Sequence, residues 1–538
     1  MGTRHSLSVT IAFGAVSVML AAPLLAQRSG QRPAPLAGST ASAVTAIVGA
    51  TVIDGNGGAP LQDATVVVTG SRITAVGPKA SVTVPAGATV IDGAGKFVTP
   101  GFVDTNVHLS LYGGGNGGAN DRYETAIKYW DRADAVTLEQ AQMHLKHGVT
   151  TVRDSYGALL PLIGTRDRIK RGDAVGPRML VAGNIVGWGG PFSVSFSVIK
   201  EQGLSLFQEQ FNDFITQGAG EELMDLTPDE LRGAINKYLD KGPDFLKYGG
   251  SSHWNFPTFI GFSPEAQKAI VEEVHKRNMV AEMHSTNIES LRLSLDAGVD
   301  LVQHPEVVGD REMPDALVQM FVKNKVIGSM LVNTITGSAW TRAEKQRTEA
   351  LKKRADQEKE GGAKEPRTDA ERRARTGDEQ LQIQMRRLNA IKLIKAGATI
   401  TLGTDNYAGA APEFRRTPKP ESQEPGIGTI IAIEGLVELG MTPAQAIVSA
   451  TKNGAIACKG LKDFGTIETG KIADLLVLDA DPLADIKNIR KLKTIMREGK
   501  VVDAAALPAA PLFYKGLTTP KPKEPVTTQG APGSANAR

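Results

Sequence analysis

One pattern recurs along this chain and limits what it can fold into: a glycine that closes a helix, a short apolar strand, then a polar side chain. His147-Gly148-Val149-Thr150 leads into Thr151-Val152-Arg153-Asp154, and Ala297-Gly298-Val299-Asp300 leads into Leu301-Val302-Gln303-His304. Ala396-Gly397-Ala398 leads into Thr399-Ile400-Thr401-Leu402-Gly403-Thr404-Asp405. At each joint glycine supplies the left-handed conformation that ends a helix. From Pro100 onward, long helical patterns alternate with short apolar runs, which is the grammar of parallel βαβ construction. Candidate strands end near His108, Asp154, Ala182, Tyr248, His284, His304, Val332 and Asp405. That is the number needed to close a (β/α)8 TIM barrel, whose chemistry collects on one rim from all strands. An open doubly wound sheet would bind at a single crevice instead, and here polar residues end many strands.

The flanks read differently. Ala46 to Ile53, Ala64 to Val68, Ile73 to Val76 and Thr89 to Ile91 are short β-type runs punctuated by turns, the signature of an antiparallel sheet or sandwich. After helical stretches around Thr429 to Leu439 and Thr442 to Ala457, β-type sequence returns at Gly465-Thr466-Ile467, Ala473 to Leu478 and Thr494 to Val502. The expected organisation is therefore an α/β chain. A β-sandwich domain is built from both ends, 43–98 and 461–505, around a barrel over 99–460, with a charged, solvated helical insertion at 341–378. Arg4 and His5 precede an apolar run from Val9 to Leu25, and Leu24-Leu25-Ala26 offers a cleavage site, so 1–26 reads as a secretory signal peptide. Segments 27–42 and 506–538 read as a flexible leader and a disordered tail. Export to the periplasm or beyond the cell follows, with no stable membrane insertion once the signal is cleaved.

Among the 538 residues, 61 Lys and Arg against 58 Asp and Glu leave a net charge of +3, too near balance for a nucleic-acid partner. Cys458 is the only cysteine, which excludes a disulfide framework and any cysteine-rich metal site. Any metal must be held by His, Asp, Glu or a modified side chain. Asn106, His108, Lys247, His284, His304 and Asp405 stand at expected strand ends, 106 and 108 on one face of one strand. Each alone has an ordinary structural explanation, a rim histidine or a turn-starting aspartate. Together, converging in a barrel, they suit a divalent transition metal, most simply zinc. Tyr248 and His253, just after Lys247, are candidates for orienting a substrate carbonyl or carboxylate, with packing an equal alternative. Gly113 to Gly118 lacks a following Gly-Lys-Ser/Thr and reads as a rim loop, not a phosphate cradle. His275 reads as a surface residue of a helix capped by Ser263 and opened by Pro264, and Cys458 as buried and inert.

The motifs in order resemble the amidohydrolase superfamily, nearest its imidazolonepropionase-like and Xaa-Pro dipeptidase-like branches. The likeness runs through Val98-Thr99-Pro100-Gly101-Phe102-Val103-Asp104-Thr105-Asn106-Val107-His108, Gly148 to Asp154, Asp244-Phe245-Leu246-Lys247, Val280 to His284, Val302-Gln303-His304, Leu402 to Asp405 and Gly470 to Asp479. The resemblance implies that Lys247 reacts with carbon dioxide to give a carbamate whose two oxygens bridge a pair of divalent metals, with one or two metals held per chain. It further implies that His284 and His304 hold one metal, that His108 and Asp405 help hold the other, and that Asp405 moves the catalytic proton. The implied activity is hydrolysis of amide-type C–N bonds, in dipeptides, N-acyl amino acids or cyclic amides, by metal-activated hydroxide. The partner is then a small-molecule substrate, with a homo-oligomer compatible. Two departures stand out. Asn106 replaces the family histidine, leaving three readings: one metal with activity, two metals with asparagine as a poor ligand, or a catalytically impaired binding protein. Trp188-Gly189-Gly190-Pro191-Phe192 stands where relatives often carry Gly-Gly-His, which implies a more apolar substrate wall. Asp104 reads as structural.

Overall fold

The computed structural model describes residues 43–113, 119–190, 205–253, 259–359, 378–413 and 419–514. The expected signal peptide and leader, most of the glycine-rich loop, Pro191-Phe192 and the middle of the charged insertion lie outside the described residues. Among those described, no helix is long and apolar enough to cross a membrane.

The first strands are β1 (Val44–Val52), β2 (Leu61–Thr69), β3 (Arg72–Pro78), β4 (Thr89–Asp92) and β5 (Phe97–Pro100). The barrel layer follows with β6 (Phe102–His108), β7 (Val149–Asp154), β8 (Arg178–Val181), β9 (Leu246–Gly249) and β10 (Ala281–His284). It continues with β11 (Leu301–Gln303), β12 (Ile327–Met330), β13 (Thr399–Leu402) and β14 (Asn406–Tyr407). The chain returns to β structure in β15 (Leu475–Leu478), β16 (Leu492–Arg497) and β17 (Lys500–Val501).

Both ends of the chain share one eight-stranded sheet, in the order β17-β16-β15-β5-β1-β2-β3 with β4 also on β1. A sandwich of two separate sheets is not seen among the described residues, and the sheet is mixed, not antiparallel throughout. β4 and β5 run parallel to β1 and lie end to end along it. The crossover between β3 and β4 permits this, because a strand returning by a long connection can keep its direction. Gly465-Thr466-Ile467 is no strand: Gly465 has φ +97° and a Cβ there would meet the Ala455 Cβ at 2.4 Å. The first residues of the expected tail are ordered, and 515–538 lie outside the described residues. Residues 507–514 pack against the protein, and Phe513 is wholly buried.

The barrel strands form two parallel sheets, β13-β12-β11-β10-β9 and β14-β6-β7-β8. At one seam Val186 N–H donates to Lys247 C=O (2.9 Å), and Gly249 N–H donates to Val186 C=O (3.0 Å). At the other, Asp405 N–H donates to Asn106 C=O at 2.8 Å. These seams are a few separate bonds, not one continuous ladder, and the fold is TIM-barrel-like α/β. Strands β6, β7, β9 and β10 are buried at every residue, as expected where helices cover a parallel sheet. Their interior carries charge. Arg153 donates to Glu282 (2.7 Å) and to the Ala457 carbonyl (2.6 Å), with its guanidinium 3.8 Å from the centre of the Phe245 ring. Gln303 donates to the other Glu282 oxygen at 2.8 Å. The pairing of Arg153 with Glu282 is what makes this layer tolerable, because an isolated buried charge costs several kcal/mol, on the order of 3–5 when one partner is removed.

Candidate metal centre

Six side chains expected to meet do so as two pairs and a link. His108 Nε2 lies 2.6 Å from Asp405 Oδ1. The rings of His284 and His304 meet edge to face with centroids 4.5 Å apart. Lys247 joins the set through Ser155, donating from Nζ to Oγ at 3.2 Å, and Ser155 in turn donates to Asn106 Oδ1. Asn106 Nδ2 donates to Asp405 Oδ1 at 3.2 Å. An ionised carboxylate only accepts, so the amide nitrogen must face Asp405 and the amide oxygen is committed to Ser155. Asn106 is therefore placed among the candidate ligands, with its better donor atom already engaged.

Strand pleating explains the convergence. Lys247 on β9 and both Glu282 and His284 on β10 point inward, two residues apart on the latter. His304 and Asp405 take left-handed conformations at φ 39° and 56° just beyond β11 and β13. Such backbone costs about 1–3 kcal/mol for a residue with a side chain and concentrates at functional sites. Asp104 anchors the first strand from behind, accepting from Thr404 and Thr429 hydroxyls at 2.7 Å each. Burial raises its carboxyl to about 6.

Three buried ring nitrogens, His108 Nδ1, His284 Nε2 and His304 Nδ1, have no hydrogen-bond partner among the described residues. Buried polar atoms are normally satisfied, and an imidazole nitrogen left open is a metal donor in waiting. Yet no three described His, Cys, Asp or Glu side chains already stand together as a metal-holding group. The donors fit a divalent metal in kind, and Lys247 lies buried among them. Burial is the main cause that lowers the Lys247 pKa, against the pull of Glu282, Asp405 and Asp154, and so favours the neutral amine. Burial also keeps His284 well below the ordinary imidazole range, with His304 adding to it, and lowers His304 to about 3. For Asp405 burial works upward, but His108, His304 and Lys247 together hold the carboxyl below its usual range. Its side chain is 31% exposed, so water screens part of that attraction.

The surrounding wall is aromatic. Trp188 packs on His284 at 4.5 Å between centroids and on Tyr156 at 6.0 Å, and Tyr156 reaches His108 at 5.9 Å. His253 stacks on His284 at 5.7 Å, at the site as expected. Tyr248 is not: strand alternation turns it away from Lys247 and into the core, where its hydroxyl donates to Gln267 at 3.1 Å on the helix Pro264–Lys276. Cys458 is only half-buried, not enclosed. His275 lies on that helix's exposed face and bonds Asp300 at 2.9 Å. Ser155 and Tyr156 escaped the sequence reading. Their one signal was position, directly after the strand ending in Asp154.

A sequence profile of the amidohydrolase family matches residues 97–502. The ochratoxinase of Aspergillus niger is 24% identical over 483 residues, covering 86% of this chain and 87% of that protein. Among solved structures, molinate hydrolase is 28% identical with a TM-score of 0.74, over 93% of this chain and 99% of its own. Phenylurea hydrolase B is 30% identical with a TM-score of 0.73, over 88% and 99% respectively. The chain belongs to the amidohydrolase family, as a hydrolase acting on carbon–nitrogen bonds.

Proposed function

We propose that this protein is a metal-dependent amidohydrolase that cleaves the C–N bond of small amides or ureas bearing an apolar substituent. The observation that carries this reading is the convergence of His108–Asp405 and His284–His304 around Lys247, with three imidazole nitrogens left open. His284 and His304 would hold a divalent metal such as zinc, and a carbamate formed from Lys247 and carbon dioxide would be a further donor. His108 and Asp405 flank the same place, and Asn106 steadies Asp405 instead of binding strongly itself. A metal there supplies Lewis acidity and lowers the pKa of water toward neutrality. The chain's residues do the rest. Asp405, held ionised, accepts a proton at its carboxylate and returns it to the departing nitrogen. Trp188 and Tyr156 exclude bulk water and offer an apolar wall, and His253 is placed to meet a polar group of the substrate. The similarity to phenylurea hydrolase B and molinate hydrolase supports a small, N-substituted carbonyl substrate over a long peptide.

We also propose, from the amino-terminal sequence, that the enzyme is exported and mature from about Gln27, which sequencing of the secreted protein would check. The function is tested with metal analysis and a panel of phenylureas, N-acyl amino acids, dipeptides and cyclic amides. Amine release that is lost with a chelator and restored by zinc is the expected result. Turnover indifferent to chelation would overturn the metal reading. No turnover of any class by the metal-loaded protein would favour a binding protein.

A further inference from the structure

The helix Ala133–Lys146 presents Glu139, Gln142 and Lys146 along one face, and residues 507–514 run along it. Lys146 Nζ donates to Leu507 C=O at 2.8 Å, and Ala509 N–H donates to Gln142 Oε1 at 2.9 Å. Glu139, only 1% exposed, then accepts three successive backbone N–H groups, from Leu512, Phe513 and Tyr514, each at 2.9 Å. Three hydrogen bonds on the two oxygens of one side chain fix the segment's direction as well as its position. The effect is to drive Phe513, fully buried, between Tyr112 (5.7 Å) and Tyr129 (4.9 Å). Tyr514 adds a bond from its hydroxyl to Glu424 at 2.9 Å.

What Phe513 touches gives the clasp a meaning. Its apolar cluster includes Tyr112, four residues beyond His108, and Ala408 and Ala411, just beyond Asp405. These rim segments are already stitched together. Asn406 and Tyr407 pair with Val107 and His108, Ala408 N–H donates to Leu111 C=O at 2.9 Å, and Gly113 N–H donates to Gly409 C=O at 3.1 Å. We propose that Glu139 and Phe513 are positioning residues, a clasp by which residues 507–514 fix the two rim segments that carry His108 and Asp405. The proposal rests on the catalytic reading of that pair, and it places half the site under the control of residues far away in sequence. His284, His304 and Lys247 sit on strands the clasp does not reach.

The test is hydrogen–deuterium exchange on the full chain, with kinetics alongside. Phe513→Ala is expected to speed exchange about tenfold in 109–113 and 406–411, while β9 to β12 keep wild-type protection, because local openings carry their own free energies. Glu139→Gln, a milder change, should release the amides of 512–514 with a smaller effect on the rim, and Phe513→Leu should recover most of the protection. In parallel, kcat should fall about tenfold in Phe513→Ala with KM nearly unchanged, a pattern of lost transition-state alignment. Wild-type protection of both rim segments while 512–514 exchange freely would overturn the clasp, and so would a uniform rise across the chain, which marks general destabilisation. The exchange result stands apart from activity: full turnover by His108→Ala would remove the catalytic reading and leave the clasp measurable.

Discussion

Asn106 and His108 share a single acceptor: Nδ2 of the first, at 3.2 Å, and Nε2 of the second, at 2.6 Å, both meet Oδ1 of Asp405. An amide in this position donates its nitrogen's hydrogen to the carboxylate and accepts from Ser155 at its oxygen, which keeps one lone pair as a weak donor. Replacing it by imidazole supplies a stronger donor for zinc.

Asn106→His is therefore expected to raise bound zinc toward about two per chain, since imidazole outcompetes an amide oxygen at such sites. Elemental analysis after dialysis reads this directly. An unchanged stoichiometry would count against the arrangement of donors drawn above.

Lys247→Ala removes the group expected to join the two donor pairs. Even indirect supports of metal ligands cost roughly 10–100-fold when lost, so kcat/KM should drop by at least about 100-fold. Steady-state assays with bound metal quantified in the same samples would show it. Wild-type turnover by the variant would end the carbamate proposal.

Tyr248→Phe separates a core tyrosine from a substrate-binding one. Its hydroxyl bonds Gln267 inside the protein, so kcat/KM should stay within about twofold while unfolding free energy falls by about 1 kcal/mol, the usual net worth of one buried hydrogen bond. Urea denaturation and kinetics on one preparation decide it, and a large kinetic defect with unchanged stability would restore the substrate role.

His144 provides a pH signature remote from the site. It is fully buried, its Nδ1 bonded to Gln140 C=O at 2.9 Å, and burial lowers its pKa to about 4. Once unfolded, a histidine titrates near about 6.5. Between these values the unfolded chain binds a proton that the native protein refuses, so stability is intact above the upper limit and declines as pH falls through the window. The loss approaches about 3 kcal/mol for this one residue. Urea unfolding at about pH 7.5 and 4.5 should show His144→Gln losing less on acidification than wild type. Equal losses would locate the effect elsewhere, with His147, also lowered to about 4 mainly by burial, next in line.

Much of this molecule was legible because barrel grammar is local. Glycine-closed helices and polar strand ends marked β7, β11 and β13, with His304 and Asp405 just beyond the last two, and pleating alone put Asn106 and His108 on one face. What stayed hidden depends on distance or on register. Tyr248 looked like a site residue because it follows Lys247, and only strand alternation sends its hydroxyl to Gln267. The prolines of the tail suggested disorder, yet the docking of Phe513 needs Glu139, more than three hundred residues earlier, and no short-range pattern records such a pairing. The run that forms β4 suggests an antiparallel partner for the same reason: direction belongs to the crossover, not to the strand.

Ser155 stands between Asn106 and Lys247 with its hydroxyl hydrogen committed to the amide. Only a lone pair is left for the lysine, which must offer a hydrogen in return. One hydroxyl thereby sets the polarity of a chain of bonds that runs from Lys247 through Ser155 and Asn106 to Asp405.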